Sequence, residues 1–170
     1  DLSIQDDVVV LAGDAAAATA TRGADSVTMA SIERIEVESA SGNDLVDASG
    51  IAGGIRLFIW GGAGNDTAIG GARGDRIEGG AGDDLITGGG GGDRFVFGAE
   101  NGDGRQDLDV VTDFSKAAGD VLDLRAVAGM FVANAIDEGV LVTLAPVGGG
   151  DQDQILLQGL TAISDLAVWA

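Results

Sequence analysis

Residues 61–96 read, in blocks of nine, GGAGNDTAI (61–69), GGARGDRIE (70–78), GGAGDDLIT (79–87) and GGGGGDRFV (88–96). Asp66, Asp75, Asp84 and Asp93 recur every ninth residue, each downstream of a glycine pair that heads its block. An apolar residue stands two places after each aspartate: Ala68, Ile77, Ile86 and Phe95. Self-similarity at a fixed period outranks local signals, because it makes the repeat the unit of folding.

The block dictates an architecture. Its first six residues, rich in Gly and Asp, suit a turn, which leaves a strand of about three residues, x-U-x with U apolar. A strand so short buries too little surface to stand alone, but stacked coils place the U side chains in one column. Successive repeats then land on opposite sides, so Ala68 and Ile86 are expected on one sheet and Ile77 and Phe95 on the other. Loops on the same side lie two repeats apart, which pairs Asp66 with Asp84 and Asp75 with Asp93. Glycine permits positive φ in such turns, so carbonyl oxygens can point into the loop. Calcium takes six to eight oxygen ligands at about 2.3–2.6 Å. One loop offers too few, so two stacked loops are expected to share each ion.

The pattern G-G-x-G-x-D-x-U-x resembles the RTX (repeats-in-toxin, hemolysin-type) calcium-binding family. The resemblance implies an all-β fold, a right-handed parallel β-roll or β-helix of stacked nonapeptide repeats with a C-terminal β cap, holding about three to five Ca2+ ions. It also implies ligand sets: carbonyls at repeat positions two and four plus the aspartate from one loop, and carbonyls at positions one and three plus the aspartate from the loop two repeats on. One site would then use Gly62, Gly64, Asp66, Gly79, Ala81 and Asp84. A second would use Gly71, Arg73, Asp75, Gly88, Gly90 and Asp93. Arg73 stands where the family has glycine, which makes the second site the weaker. Asp83 occupies a variable position and is expected to face solvent.

The resemblance fades outward from the repeats. Ser41–Asp47 keeps the G-x-D-x-U tail, but Ser39 and Ala40 replace the glycine pair, and Asp44 precedes Asp66 by 22 residues. A longer turn of coil is expected there, built on Ile51 and the apolar run 55–60. Asp44 is a candidate ligand and Asp47 a weaker one. On the carboxyl side, Asp109-Val110-Val111-Thr112-Asp113-Phe114 and Gly119-Asp120-Val121-Leu122-Asp123-Leu124 resemble the segment that caps RTX rolls in type I secreted proteins. By that resemblance Asp109, and less directly Asp113, complete the last calcium sites. Asn101–Gly104 lacks the first Asp and the twelfth-position Glu of an EF-hand loop. Val140–Leu144 and Ile155–Leu160 read as antiparallel strands around Gly148–Asp151. The apolar end, Leu166–Ala170, resembles a type I export signal. Residues 1–38 show strand patterns at Val8–Leu11, Val27–Met29 and Ile35–Glu38 but no chemistry. Three segments are expected: irregular amino-terminal coils or cap (1–38), calcium-binding repeats (39–96), and a capping and secretion-target segment (97–170).

Composition narrows the function. The net charge is −19, with Asp far in excess of Glu and 30 glycines. One Lys and eight Arg make no basic patch for nucleic acid. With no Cys and no His, disulfides, zinc sites and Ser-His-Asp or Cys-His catalysis are absent from this chain. No apolar run reaches membrane-span length. The expected function is a calcium-binding module that folds on extracellular Ca2+ and supports type I secretion and folding of a larger exported protein. Its partners would be calcium, the secretion machinery and an upstream domain, at a secreted or bacterial cell-surface location. The alternative is a structural or adhesive surface module rigidified by calcium. No catalysis is expected within these residues.

Overall fold

The computed structural model describes residues 7–22, 25–98, 106–124, 131–144 and 153–169. The strands are β1 (Val8–Gly13), β2 (Ala17–Arg22), β3 (Asp25–Ala30), β4 (Arg34–Ser41), β5 (Leu45–Ile51), β6 (Arg56–Ala63), β7 (Thr67–Ile69), β8 (Arg76–Ala81), β9 (Leu85–Thr87), β10 (Arg94–Val96), β11 (Leu108–Val111), β12 (Val121–Asp123), β13 (Phe131–Ile136), β14 (Gly139–Leu144), β15 (Gln154–Gln158) and β16 (Val168–Trp169). The only helical element among the described residues is a short 3-10 turn, Ile163–Asp165. No helix among them is long and apolar enough to cross a membrane.

From β4 to β12 the chain alternates between two sheets. A six-stranded sheet runs β16-β12-β10-β8-β6-β4, and a ten-stranded sheet runs β13-β14-β15-β11-β9-β7-β5-β1-β2-β3. Strands two apart in sequence pair in parallel: β5 with β7, β7 with β9, β6 with β8 and β8 with β10. This is the alternation the nine-residue phase requires.

The apolar residues of the D-x-U tails, with Val37 and Ile59 in register beside them, build the core. In one sheet Val46, Ala68, Ile86 and Val111 lie in register; in the other Val37, Ile59, Ile77, Phe95 and Leu122 do. All nine are buried. Burial of a side chain of this size contributes about 1.5–3 kcal/mol, so the stacked columns supply the stability a three-residue strand lacks.

The structure adds three features to the sequence reading. β8 has six residues and β6 eight, because the glycine pairs continue the ladder, with Gly62 opposite Gly80 and Ala63 opposite Ala81. β1 pairs in parallel with β5, Val8 opposite Leu45, so the coil begins before residue 39. β2 and β3 then extend that sheet as antiparallel strands. At the other end β14 and β15 are antiparallel, as expected, and β15 joins β11 in parallel. The segments 101–104 and 148–151, and the side chain of Trp169, lie outside the described residues.

Candidate metal centre

The repeat aspartates are buried, each between 2% and 3% exposed. Burial of carboxylates is costly unless their oxygens find partners. Part of the answer is a ladder along each edge of the stack. The Asp66 N–H donates to Asp84 Oδ1 and the Asp75 N–H to Asp93 Oδ1, both at 2.8 Å. The pairing two repeats apart is thus a direct hydrogen bond.

Both ladders outrun the perfect repeats. On the first edge the N–H of Asp7 donates to Asp44 Oδ1 at 2.7 Å, that of Asp44 to Asp66 Oδ1 at 2.7 Å, and that of Asp84 to Asp109 Oδ1 at 3.1 Å. On the second edge the Leu57 N–H donates to Asp75 Oδ1 and the Asp93 N–H to Asp120 Oδ1, each at 2.8 Å. Asp7 and Asp120 were not among the expected site residues. Their signal is the tail alone, Asp7-Val8-Val9 and Asp120-Val121-Leu122, without the glycine pair that heads a repeat. Asp47 stays out of the ladder; its Oδ1 accepts from the Ser49 N–H and hydroxyl. Asp113 accepts from the N–H groups of Gly88 and Gly89, both at 2.8 Å. Asp83 is exposed, as expected, yet accepts the Leu108 N–H at 2.7 Å.

The gap between loops 61–66 and 79–84 is lined by oxygen. Gly62 (φ +107°) and Gly64 (φ +135°) turn their carbonyl oxygens toward Gly80 and Gly82 of the next loop. Gly79 O points back toward Gly61, and Ala81 O toward Gly64, whose N–H it accepts at 2.8 Å. Asp84 Oδ2 is buried with no hydrogen-bond partner. A Cβ on Gly79 would collide with that oxygen, and one on Gly61 with Asp66 Oδ2 and Gly79 O. The missing side chains therefore leave a cradle of carbonyl and carboxylate oxygens, a donor set suited to a hard cation. No group of three or more acidic side chains converges among the described residues, so most donors to an ion here would be carbonyls. The loop 39–44 repeats the backbone form: Ala40 (φ +111°) and Gly42 (φ +126°) point their oxygens at Gly62 and Gly64. The strained alanine is held in a conformation that glycine normally takes.

The gap between loops 70–75 and 88–93 keeps two of these oxygens, Gly71 O toward Gly89 and Gly88 O toward Gly70, but differs at Arg73 and Asp75. Asp75 Oδ2 accepts the N–H of Gly71 in its own loop at 2.8 Å. Neither Gly71 nor Arg73 has a positive φ. Arg73 Nη1 donates to Gly54 O at 2.7 Å.

Electrostatics act on both gaps. Burial, and then the negative charges of Asp66, Asp107 and Asp83, push Asp84 up to about 7 against the lowering effect of the Asp66 N–H. Burial raises Asp93 to about 7 and Asp109 to about 8. Burial also raises Asp75, although the N–H groups of Gly71 and Leu57 and the charges of Arg56 and Arg73 pull it down. A carboxyl with a raised folded value favours folding below its unfolded value of 3.8, and the benefit is lost as pH climbs through about 7 to 8. Without calcium the folded fraction of the chain should therefore be larger at about pH 5 than at about pH 8 by circular dichroism. A calcium-free folded fraction that rises with pH would contradict this electrostatic picture.

No protein-family model matches the chain, and no curated protein does. Among solved structures it is similar to the AlgE6R3 subunit of the Azotobacter vinelandii mannuronan C5-epimerase, at 22% identity and a TM-score of 0.50, over 83% of this chain and 80% of that one. The likeness is one of fold.

Proposed function

We propose that the chain is a calcium-binding module of the RTX type, a β-roll that folds when calcium enters the gaps between its stacked loops. The observation that carries this reading is the buried, unpartnered Asp84 Oδ2 in a gap lined by oxygen. Gly62, Gly64 and Asp66 from one loop, with Gly79, Ala81 and Asp84 from the next, are the proposed ligands. Asp44 and Asp109 continue the same edge. The set Gly71, Arg73, Asp75, Gly88, Gly90 and Asp93 breaks this pattern at Arg73 and is not among the proposed ligands.

The mechanism is linkage between binding and folding. Bound calcium supplies the positive charge that buried carboxylates otherwise lack. The chain's own residues do the rest. The glycines admit the close approach of two backbones, the aspartates fix the register of one loop on the next, and the apolar columns make each gap depend on its neighbours. Without the ion, desolvated carboxylates oppose folding; with it, binding free energy becomes folding free energy. Millimolar calcium outside a cell matches sites with dissociation constants of about 10⁻⁴–10⁻³ M. Such a module would stay unfolded during type I export and fold outside, supporting an upstream domain. Similarity to a subunit of a larger epimerase supports a role as one part of a longer protein.

Titration calorimetry tests the binding itself. Calcium should bind with released heat or protons in this affinity range, and equimolar magnesium should not displace it, because magnesium demands tight octahedral geometry and sheds water reluctantly. Absence of calcium binding, or full displacement by magnesium, would sink the proposal.

A further inference from the structure

The two edges of the repeat stack share a sequence phase, and their backbones part at the fourth position of the lower loop. We infer that the gap between loops 70–75 and 88–93 holds no calcium, a loop peptide nitrogen standing where the other edge has a carbonyl oxygen. The inference rests on the reading of calcium between loops 61–66 and 79–84.

Three observations carry it. At the fourth position of the lower loop, Gly64 turns its carbonyl oxygen to the facing Gly82. At the equivalent place Gly91 faces the Gly74 nitrogen, followed by Arg73 C at 2.7 Å and Gly74 Cα at 3.0 Å. The Arg73–Gly74 peptide thus presents its nitrogen where the other edge presents an oxygen. Arg73 carries a Cβ and does not take the positive φ that turns the carbonyl at Gly64. An amide there offers a positive dipole end to the gap, which repels a cation.

The carboxylate is also already satisfied. Asp75 accepts two N–H bonds, from Leu57 on Oδ1 and Gly71 on Oδ2, both at 2.8 Å. Asp84 accepts the Asp66 N–H on Oδ1 and leaves Oδ2 buried without a partner.

Finally, the side chain at position 73 fixes its loop from the other side. Its Nη1 bond to Gly54 O ties loop 70–75 to the turn below it.

The test counts bound ions on the full chain by equilibrium dialysis in saturating calcium, with circular dichroism to confirm folding. Asp84→Asn should bind at least one ion fewer than the wild type. Asp75→Asn should bind as many as the wild type. Because Asp75→Asn removes a buried charge that two N–H groups hold, Arg73→Gly provides the second arm. It restores glycine at an exposed position and should gain one ion. Loss of an ion in Asp75→Asn, or an unchanged count in Arg73→Gly, would overturn the inference. A wild type that binds no calcium would overturn instead the reading on which it rests.

Discussion

Asp84→Ala should raise the calcium concentration at the midpoint of folding by about tenfold or more, while Asp83→Ala should move it by less than about twofold. The two residues are neighbours with opposite placements. Asp84 is 2% exposed and faces the oxygen-lined gap; Asp83 is exposed. Removing the Asp84 carboxylate takes one anionic donor from the gap and leaves the buried Asp66 N–H without its acceptor, a loss of about 1–3 kcal/mol. Removing Asp83 frees the Leu108 N–H at an exposed position, where water replaces the lost bond. Calcium titrations of both variants, followed by far-ultraviolet circular dichroism, decide the matter. Equal midpoint shifts would show that the nine-residue phase does not select the functional aspartate.

The second large effect concerns a glycine. Gly80→Ala should destabilise the calcium-saturated fold by about 3 kcal/mol or more. Gly80 has φ +113°, and a Cβ there would run into Gly62 O, with Gly62 C at 2.8 Å and Gly62 N at 2.9 Å. Those atoms belong to the backbone of a paired strand, so neither side can give way cheaply. Gly53→Ala is the control: nothing lies within 4 Å of its Cβ position and its φ is not positive. It should change stability by less than about 0.5 kcal/mol. Urea unfolding in saturating calcium measures both. A Gly80→Ala variant as stable as Gly53→Ala would mean that the loops do not stack as closely as described.

Sequence reasoning reached the periodic part of this molecule because the period is itself physical. A side chain that must land in the same column every other repeat is visible as spacing, and so Ala68 with Ile86 and Ile77 with Phe95 could be assigned to opposite sheets. The 18-residue pairing of aspartates followed from the same count and is seen in the Asp66–Asp84 and Asp75–Asp93 hydrogen bonds. What escaped was the aperiodic remainder. Asp7 and Asp120 join the ladders through bonds that span 37 and 27 residues, with no glycine pair ahead of them to mark a loop. Asp7 depends on β1 pairing with β5, which a local reading of 1–38 cannot supply. The extension of β8 into Gly79–Ala81 was hidden because glycine reads as turn, although stacked glycine backbones can continue a ladder. At Arg73 the sequence showed a departure from the pattern but not its result, a peptide turned nitrogen-first toward the gap.

The central claim is that calcium binding and folding are one event. It is tested most directly by recording the far-ultraviolet circular dichroism of the chain at neutral pH, first in excess chelator and then as calcium is added. The account predicts a largely unfolded spectrum in chelator and a cooperative gain of β signal through the millimolar range. A full β spectrum already present in chelator, unchanged by calcium, would contradict it.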